Sequence, residues 1–263
     1  MRDNLKCLVE TDRLCYNYGV VKVLEDINLS IHENKFYGII GPNGSGKTTF
    51  IRNLSRGLMP QKGTIYLEGN DITAFSNREL ARKISYVPQN THLEFEFSVM
   101  DIVLMGRSPY LKRLQSESKS DIDVVENAMK ITNTWHLRNK NIGEISGGER
   151  QRVIIARALA QQAKIMLLDE PVSQLDIHHQ IEILRMVKKL TEEKRLTAII
   201  SLHDLNLAAQ YSDQVILLKK GRVFKQGSPY EVITEENIME AYGIKVQVIK
   251  NITNGRPHII PYY

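Results

Sequence analysis

Cysteine and tryptophan are scarce in this chain, and long apolar runs are missing. Its 263 residues contain two cysteines, Cys7 and Cys15, and one tryptophan. The cysteines show no CxxC spacing and have no histidine cluster beside them, which excludes a structural zinc site and a disulfide scaffold. Both are expected to be small core residues. No apolar stretch approaches the ~18 residues needed to span a bilayer. The longest candidates, Ala198-Ile199-Ile200 and Val215-Ile216-Leu217-Leu218, are strand-sized. Met1-Arg2-Asp3-Asn4-Leu5-Lys6 lacks the apolar core of a secretory signal. These absences predict a soluble protein that stays in the cytoplasm or sits on the cytoplasmic face of something else. Like charges never run beyond three residues, and no interleaving of aromatic and basic residues suggests a nucleic-acid groove. The net charge of +5 is a modest basic excess on a mixed surface. No internal repeat or low-complexity segment is visible, so the chain reads as one unit and not a fused tandem.

What is present is apolar patterning sufficient for a core, with 42% hydrophobic residues. Leu24 to Ile31 alternates in part, and Phe36-Tyr37-Gly38-Ile39-Ile40 is a short apolar strand. A helix is predicted from Gly46-Lys47-Thr48 through Arg56, stopping near Gly57. Strands follow around Thr64–Leu67 and Ile84–Val87. From Gln89 to about Gln162 the period becomes helical, with helices over Ser98–Gly106, Lys119–Asn133 and Gly148–Gln162. Strands return at Ile165–Leu168, Thr197–Ser201 and Gln214–Leu218, with helices at Ile177–Glu193 and Asp204–Tyr211 between them. Alternating strands and helices predict an α/β core with a largely parallel, doubly covered sheet, into which the helical segment is inserted. A glycine-containing return, Lys220-Gly221-Arg222-Val223, leads into a small C-terminal tail.

Three motifs carry chemistry. Gly41-Pro42-Asn43-Gly44-Ser45-Gly46-Lys47-Thr48 fits GxxxxGK[ST] between an apolar strand and a helix start. Its glycines permit a turn whose N–H groups surround phosphate, and the helix N-terminus adds partial positive charge. Lys47 would reach the β- and γ-phosphates, and the Thr48 hydroxyl would ligate Mg²⁺. The second motif, Ile165-Met166-Leu167-Leu168-Asp169-Glu170, ends an apolar strand in two carboxylates. Asp169 would hold the metal and Glu170 would polarise the attacking water. In the third, Ile145-Ser146-Gly147-Gly148-Glu149 opens a helix, so that Ser146 and the amides of Gly147 and Gly148 can face an anion. The same residues have capping-box spacing, and both readings hold together.

In this order the motifs resemble the ATP-binding subunit of an ABC transporter, over nearly the whole chain. The resemblance implies a P-loop NTPase (RecA-like) core with an antiparallel β subdomain and a helical insertion. It divides residues 1–263 into an α/β core over about 1–89 and 163–230, a helical subdomain over about 90–162, and a tail over 231–263. ATP and Mg²⁺ are the implied ligands. Gly41, Pro42, Asn43, Gly44, Ser45, Gly46, Lys47, Thr48 and Thr49 are the expected phosphate-binding residues. Ser146, Gly147 and Gly148 would bind the γ-phosphate of ATP held by a second copy, in a head-to-tail dimer. Gln89 matches the loop glutamine that completes the Mg²⁺ shell, with Thr48 and Asp169. His203 matches the switch histidine at the γ-phosphate. Asp176 matches the aspartate of the loop crossing the dimer interface, although Val172 and Gln174 stand where Thr and Ala are commoner. Tyr18 fits the aromatic that stacks on adenine; Tyr16 competes, and counting back from Asp26-Ile27-Asn28-Leu29 favours Tyr18. His178 and His179, adjacent on a helix, diverge by ~100° and are expected at the surface.

Two departures stand out. The family pattern is Leu-Ser-Gly-Gly-Gln, and this chain has Ile145 and Glu149. Glu149 brings a carboxylate near phosphate, so it is expected to turn toward its own helix N-terminus or toward Arg150 or Arg152. The stretch Phe97 to Tyr110, together with Leu202 to Tyr211, is similar to importers for ferric siderophores, haem and vitamin B12. That similarity implies two membrane permease subunits, an extracellular binding protein acting indirectly, and a place on the cytoplasmic face of the membrane. Residues 90–115 would form part of the groove for the membrane subunit, with Phe95, Phe97, Met100 and Met105 as candidate apolar contacts, core packing explaining the last two equally well. The rival readings are a cytosolic ABC ATPase without a permease, of iron–sulfur assembly type, an importer for another metal, and an ABC protein acting on nucleic acid or ribosomes. That last class usually has a long coiled-coil insertion or two cassettes, and neither is present.

Overall fold

A computed structural model of the chain describes residues 6–89, 97–112, 115–193 and 196–262. Its centre is a six-stranded sheet in the order Arg222–Gly227, Gln214–Lys219, Phe36–Ile40, Thr197–Ser201, Ile165–Leu168, Ile84–Val87. All neighbours are parallel except the edge pair formed by Arg222–Gly227 and Gln214–Lys219. Apart from the edge strand Arg222–Gly227, these strands read as largely apolar runs because the sheet is covered on both faces. Phe36 and Ile40 enter one hydrophobic core while Tyr37 and Ile39 enter another. The strands beside them repeat the alternation: Met166 and Leu168 against Ile165 and Leu167, Val215 and Leu217 against Ile216 and Leu218.

The two cores differ in what closes them. One lies under an antiparallel sheet ordered Val21–His32, Cys7–Tyr18, Lys62–Leu67, Asn70–Asp71, and includes Phe50, Ile51 and Leu54 from the helix Lys47–Leu54. The other is closed by the helices Val99–Leu104, Lys119–Ile131, Gly147–Ala160 and Ile177–Glu192 and by the C-terminal residues. Inside the helical part Arg107 is buried and ties three elements together. Its Nε donates to Asp121 Oδ1 at 2.9 Å, and one Nη donates to Ala160 O at 2.7 Å and Gln162 Oε1 at 2.9 Å. Its guanidinium also lies 4.0 Å from the centre of the Tyr110 ring.

Several predicted boundaries shift. The first helix ends at Leu54 because Arg56 adopts a left-handed backbone (φ 57), which a helix cannot continue. The predicted Ser98–Gly106 helix runs over Val99–Leu104 and tightens into a 3₁₀ turn over Met105–Arg107. Cys7 and Cys15 are half-buried on the strand Cys7–Tyr18, not core residues; irregular register interrupts the strand's in–out alternation there. The largest difference is the tail. It contains the short helix Pro229–Val232, the helix Glu235–Tyr242 and a hairpin of Val246–Lys250 with Pro257–Pro261. Among the described residues no helix is long and apolar enough to cross a membrane.

Candidate active site

The carboxyl ends of Phe36–Ile40, Ile165–Leu168 and Thr197–Ser201 point the chain into one crevice, the usual place for a ligand in an open α/β sheet. Leaving the first strand, the backbone turns through Gly41 (φ 149) and Gly46 (φ 102), the latter at the N-cap of the helix Lys47–Leu54. A Cβ on Gly41 would stand 2.3 Å from Leu218 O, so no side chain fits at that turn. Lys47 is 5% exposed, and its Nζ donates to Gly41 O at 2.8 Å and Pro42 O at 3.3 Å. Burial lowers the Lys47 ammonium pKa, while Glu170 and Asp169 oppose that shift. The loop thus wraps an ammonium in carbonyl oxygens, an arrangement that an anion can replace. Ser45 Oγ is buried there with no hydrogen-bond partner among the described residues.

Thr48 Oγ1 donates to Asp169 Oδ1 at 3.0 Å, joining the loop 41–48 to the acidic strand end. Asp169 is 1% exposed. Burial pushes its carboxyl pKa above the usual range, and hydrogen bonds from Ser201 and Thr48 oppose the shift. A hydroxyl and a single carboxylate side by side are hard oxygen donors, which suits Mg²⁺ held mainly by substrate phosphates and water. Ser201 relays the contact: its Oγ donates to Asp169 Oδ1 at 2.9 Å and accepts from Glu170 N at 2.8 Å. Glu170 itself has φ 48, a left-handed backbone that turns the chain sharply at the strand end. Its two carboxylate oxygens meet Gln89 Nε2 and His203 Nε2. Gln89, Glu170 and His203, dispersed in sequence, therefore form one cluster, and Glu170, Ser201 and His203 line a cavity of about 320 Å³.

The sequence pattern described as "ABC transporter" matches residues 24–173. This chain belongs to the ABC transporter family. It is 38% identical over 250 residues to the ferric enterobactin transport ATP-binding protein FepC of Escherichia coli (strain K12), covering 95% of this chain and 92% of that one. It is 36% identical over 254 residues to the probable siderophore transport system ATP-binding protein YusV of Bacillus subtilis (strain 168), covering 97% and 92%. To the cobalamin import ATP-binding protein BtuD of Halobacterium salinarum it is 38% identical, spanning 60% of that longer protein and 91% of itself. Among solved structures, a chain of an ABC transporter in an inward-facing conformation superposes with a TM-score of 0.86 at 28% identity, covering 98% of both chains. The dimeric ABC transporter cassette MJ0796 superposes with a TM-score of 0.73 at 28% identity, covering 84% of this chain and 98% of that one.

In this ABC family member the Ser146–Glu149 segment starts the helix Gly147–Ala160. Glu149 Oε2 accepts from Ser146 N and Ser146 Oγ, each at 2.8 Å, and Glu149 N donates to Ser146 Oγ at 3.3 Å. Of the two destinations expected for Glu149, its own helix N-terminus is the one occupied. Hydrogen bonds from the Ser146 amide and hydroxyl hold its carboxyl pKa below the usual range. Ser146 and Gly147 are exposed, and among the described residues nothing lies within 4 Å of a Cβ built on Gly147. Gly148 is different. A Cβ there would lie 3.1 Å from the His179 ring.

His179 is thus not a plain surface residue. Its backbone N–H donates to Asp176 Oδ1 at 3.0 Å, and its Nδ1 pairs with Asp176 Oδ2 at 2.9 Å. Asp176 is the N-cap of the helix Ile177–Glu192. His178, three-quarters exposed, does lie at the surface as expected. Tyr18 is 45% exposed, whereas Tyr16 packs against the core beside it, the two rings edge to face at 5.1 Å. Phe97 packs partly buried against the helical core, Met100 is half-buried, and Met105 is exposed; Phe95 lies outside the described residues. Sequence reasoning missed Ser201 and His179, since a serine or histidine gains meaning only from neighbours that the fold supplies.

Proposed function

We propose that this chain is the ATP-hydrolysing subunit of an ABC importer and that it works as a head-to-tail dimer. The observation that carries this reading is the convergence of Gln89 and His203 on the two oxygens of Glu170, beside the Thr48–Asp169 contact. Lys47 releases the loop carbonyls and takes the β- and γ-phosphates of ATP, with the amides of residues 41–49 around them. Tyr18, being exposed, stacks on adenine. Thr48, Asp169 and Gln89 would hold Mg²⁺, which would supply charge neutralisation at the phosphates. Glu170 orients the attacking water and accepts its proton, and His203 contacts the γ-phosphate. The exposed Ser146 and Gly147, with Gly148 buried behind them, close on the γ-phosphate of the second copy's ATP, with Asp176 at the same interface. Residues 90–162 act as the subdomain that carries this closure to two permease subunits on the cytoplasmic face of the membrane.

The relatives above are named as ATP-binding proteins of ferric enterobactin transport, a probable siderophore transport system and cobalamin import, so the cargo class proposed here is a metal chelate: a ferric siderophore, haem or a corrinoid. Glu170→Gln is expected to leave equilibrium ATP binding intact, lower turnover by roughly 10³-fold and accumulate an ATP-bound dimer on size-exclusion chromatography. Turnover near that of the wild type would remove Glu170 as the base. Gly147→Asp is expected to block hydrolysis while the isolated subunit still binds nucleotide. Loss of that binding would place the segment at its own chain's nucleotide. Copurification with permease subunits, followed by binding assays on the cognate extracellular receptor, tests the cargo.

A further inference from the structure

The C-terminal hairpin is bonded to the helix that follows His203, and it holds that helix at both ends. Leu205–Tyr211 starts two residues after the histidine, and Asp204 caps it by accepting from Asn206 N at 2.7 Å and Leu207 N at 3.0 Å. The side chain of Asn206 is committed to the hairpin. Its Nδ2 donates to Ile259 O at 3.1 Å, and its Oδ1 accepts from Ile259 N at 2.7 Å. The pair reproduces what a neighbouring strand would offer Ile259. At the other end of the helix, one Nη of Arg256 donates to Ala209 O at 2.9 Å and Ser212 O at 2.7 Å, and Asn254 donates to Gln210 at 2.7 Å.

The hairpin has a firm base from which to act. Val246 and Ile259 are buried in the same core as the strands of the central sheet, and Val248 N donates to Glu235 Oε1 at 2.9 Å. His203, by contrast, is only loosely enclosed, with 45% of its side chain exposed. It is placed from behind by Leu202, whose N–H donates to Ile39 O at 3.0 Å, and from ahead by the latched helix. Leu207 of that helix lines the cavity shared by Glu170, Ser201 and His203.

We propose that the hairpin is a positioning device for His203, with Asn206 and Arg256 as its two attachment points. The proposal rests on the assignment of His203 as a γ-phosphate contact. In the full-length chain, Asn206→Ala and Arg256→Ala are each expected to lower kcat about tenfold while the KM and equilibrium Kd for ATP stay within about twofold, because geometry and not nucleotide affinity is lost. Arg256→Lys, which can still donate to both carbonyls, is expected to recover most of the loss.

A second measurement does not depend on turnover. The His203 imidazole resonance in a ¹H–¹³C spectrum is assigned by its disappearance in His203→Ala. It is expected to move in both alanine variants while the His136 resonance stays. Unchanged kcat in both alanine variants would overturn the proposal. So would a fall in kcat with the His203 resonance at its wild-type position, since that pattern is general loosening. If His203→Ala itself turned over at the wild-type rate, the γ-phosphate assignment would fail, and the resonance would still decide whether the hairpin positions the residue.

Discussion

The two halves of the proposed composite site are built in opposite ways. At the strand ends Asp169 is sealed from water, and Thr48, Ser201 and the Glu170 backbone are wired to one another before any ligand arrives. At the Ser146–Glu149 segment the polar groups satisfy each other locally, and Ser146 and Gly147 stay open to solvent. The first half bears a desolvation cost for its chemistry, whereas the second is an ordinary well-capped helix start whose geometry also suits an anion. The groups proposed as catalytic are therefore held in a costly, preorganised arrangement, whereas the surface proposed to complete the site is stable alone.

The sharpest way to break this contrast is to neutralise Asp169. Asp169→Asn is expected to reduce ATPase turnover by roughly 10²- to 10³-fold, yet to raise Tm at neutral pH. The sign follows from linkage. Burial raises the folded-state pKa of this carboxyl above its ordinary 3.8, so native stability is fully expressed below that value and is lost as pH rises through the folded pKa. The Tm advantage of the asparagine variant should then shrink as pH falls toward 3.8, where both proteins carry a neutral group. A Tm below wild type at neutral pH would mean that the strand end is not under electrostatic load.

Ser201→Ala comes next in size. It leaves the Glu170 N–H and one Asp169 oxygen without their shared partner, which should lower kcat by about ten- to a hundredfold and cost about 1–3 kcal/mol in denaturant unfolding. The smallest effects belong to the helix start. Glu149→Ala removes half of the capping box and should cost about 1 kcal/mol, while Glu149→Gln, which keeps an acceptor, should stay within a few tenths. The pH dependence here has the opposite sign to that of Asp169. The folded-state pKa of Glu149 is lowered, so its contribution is present above its ordinary 4.5 and is lost as pH falls through the folded value. Equal pH profiles for the Asp169 and Glu149 variants would remove the distinction between the two halves.

Legibility in the sequence followed the same divide between local and long-range causes. Ile165–Leu168 and Thr197–Ser201 have the predicted bounds because strands buried on both faces appear as unbroken apolar runs between polar residues. The destination of Glu149 was narrowed by capping-box spacing, a three-residue relation. The meeting of Gln89 with Glu170 across 81 positions was accessible only through family resemblance, since no periodicity reports which loops the sheet brings together. Ser201 had no local signal, and the approach of His179 to Gly148 depends on two helices meeting in the fold. No elements are predicted for the tail, whose four-residue helix is too short for a period to emerge and whose other elements carry no motif.

The burial of Ile259 in the same core as Phe36 has a consequence for synthesis. The central strand Phe36–Ile40 precedes Ile259, which helps seal its helical face and bonds to Asn206, by most of the cassette's length. An emerging chain can pair its N-terminal strands at once, yet the core around Phe36 stays unsealed and the segment after His203 unlatched until residue 259 has cleared the ribosome. A chain halted before Ile259 would thus carry the loop 41–48 while the apolar face around Phe36 remained exposed.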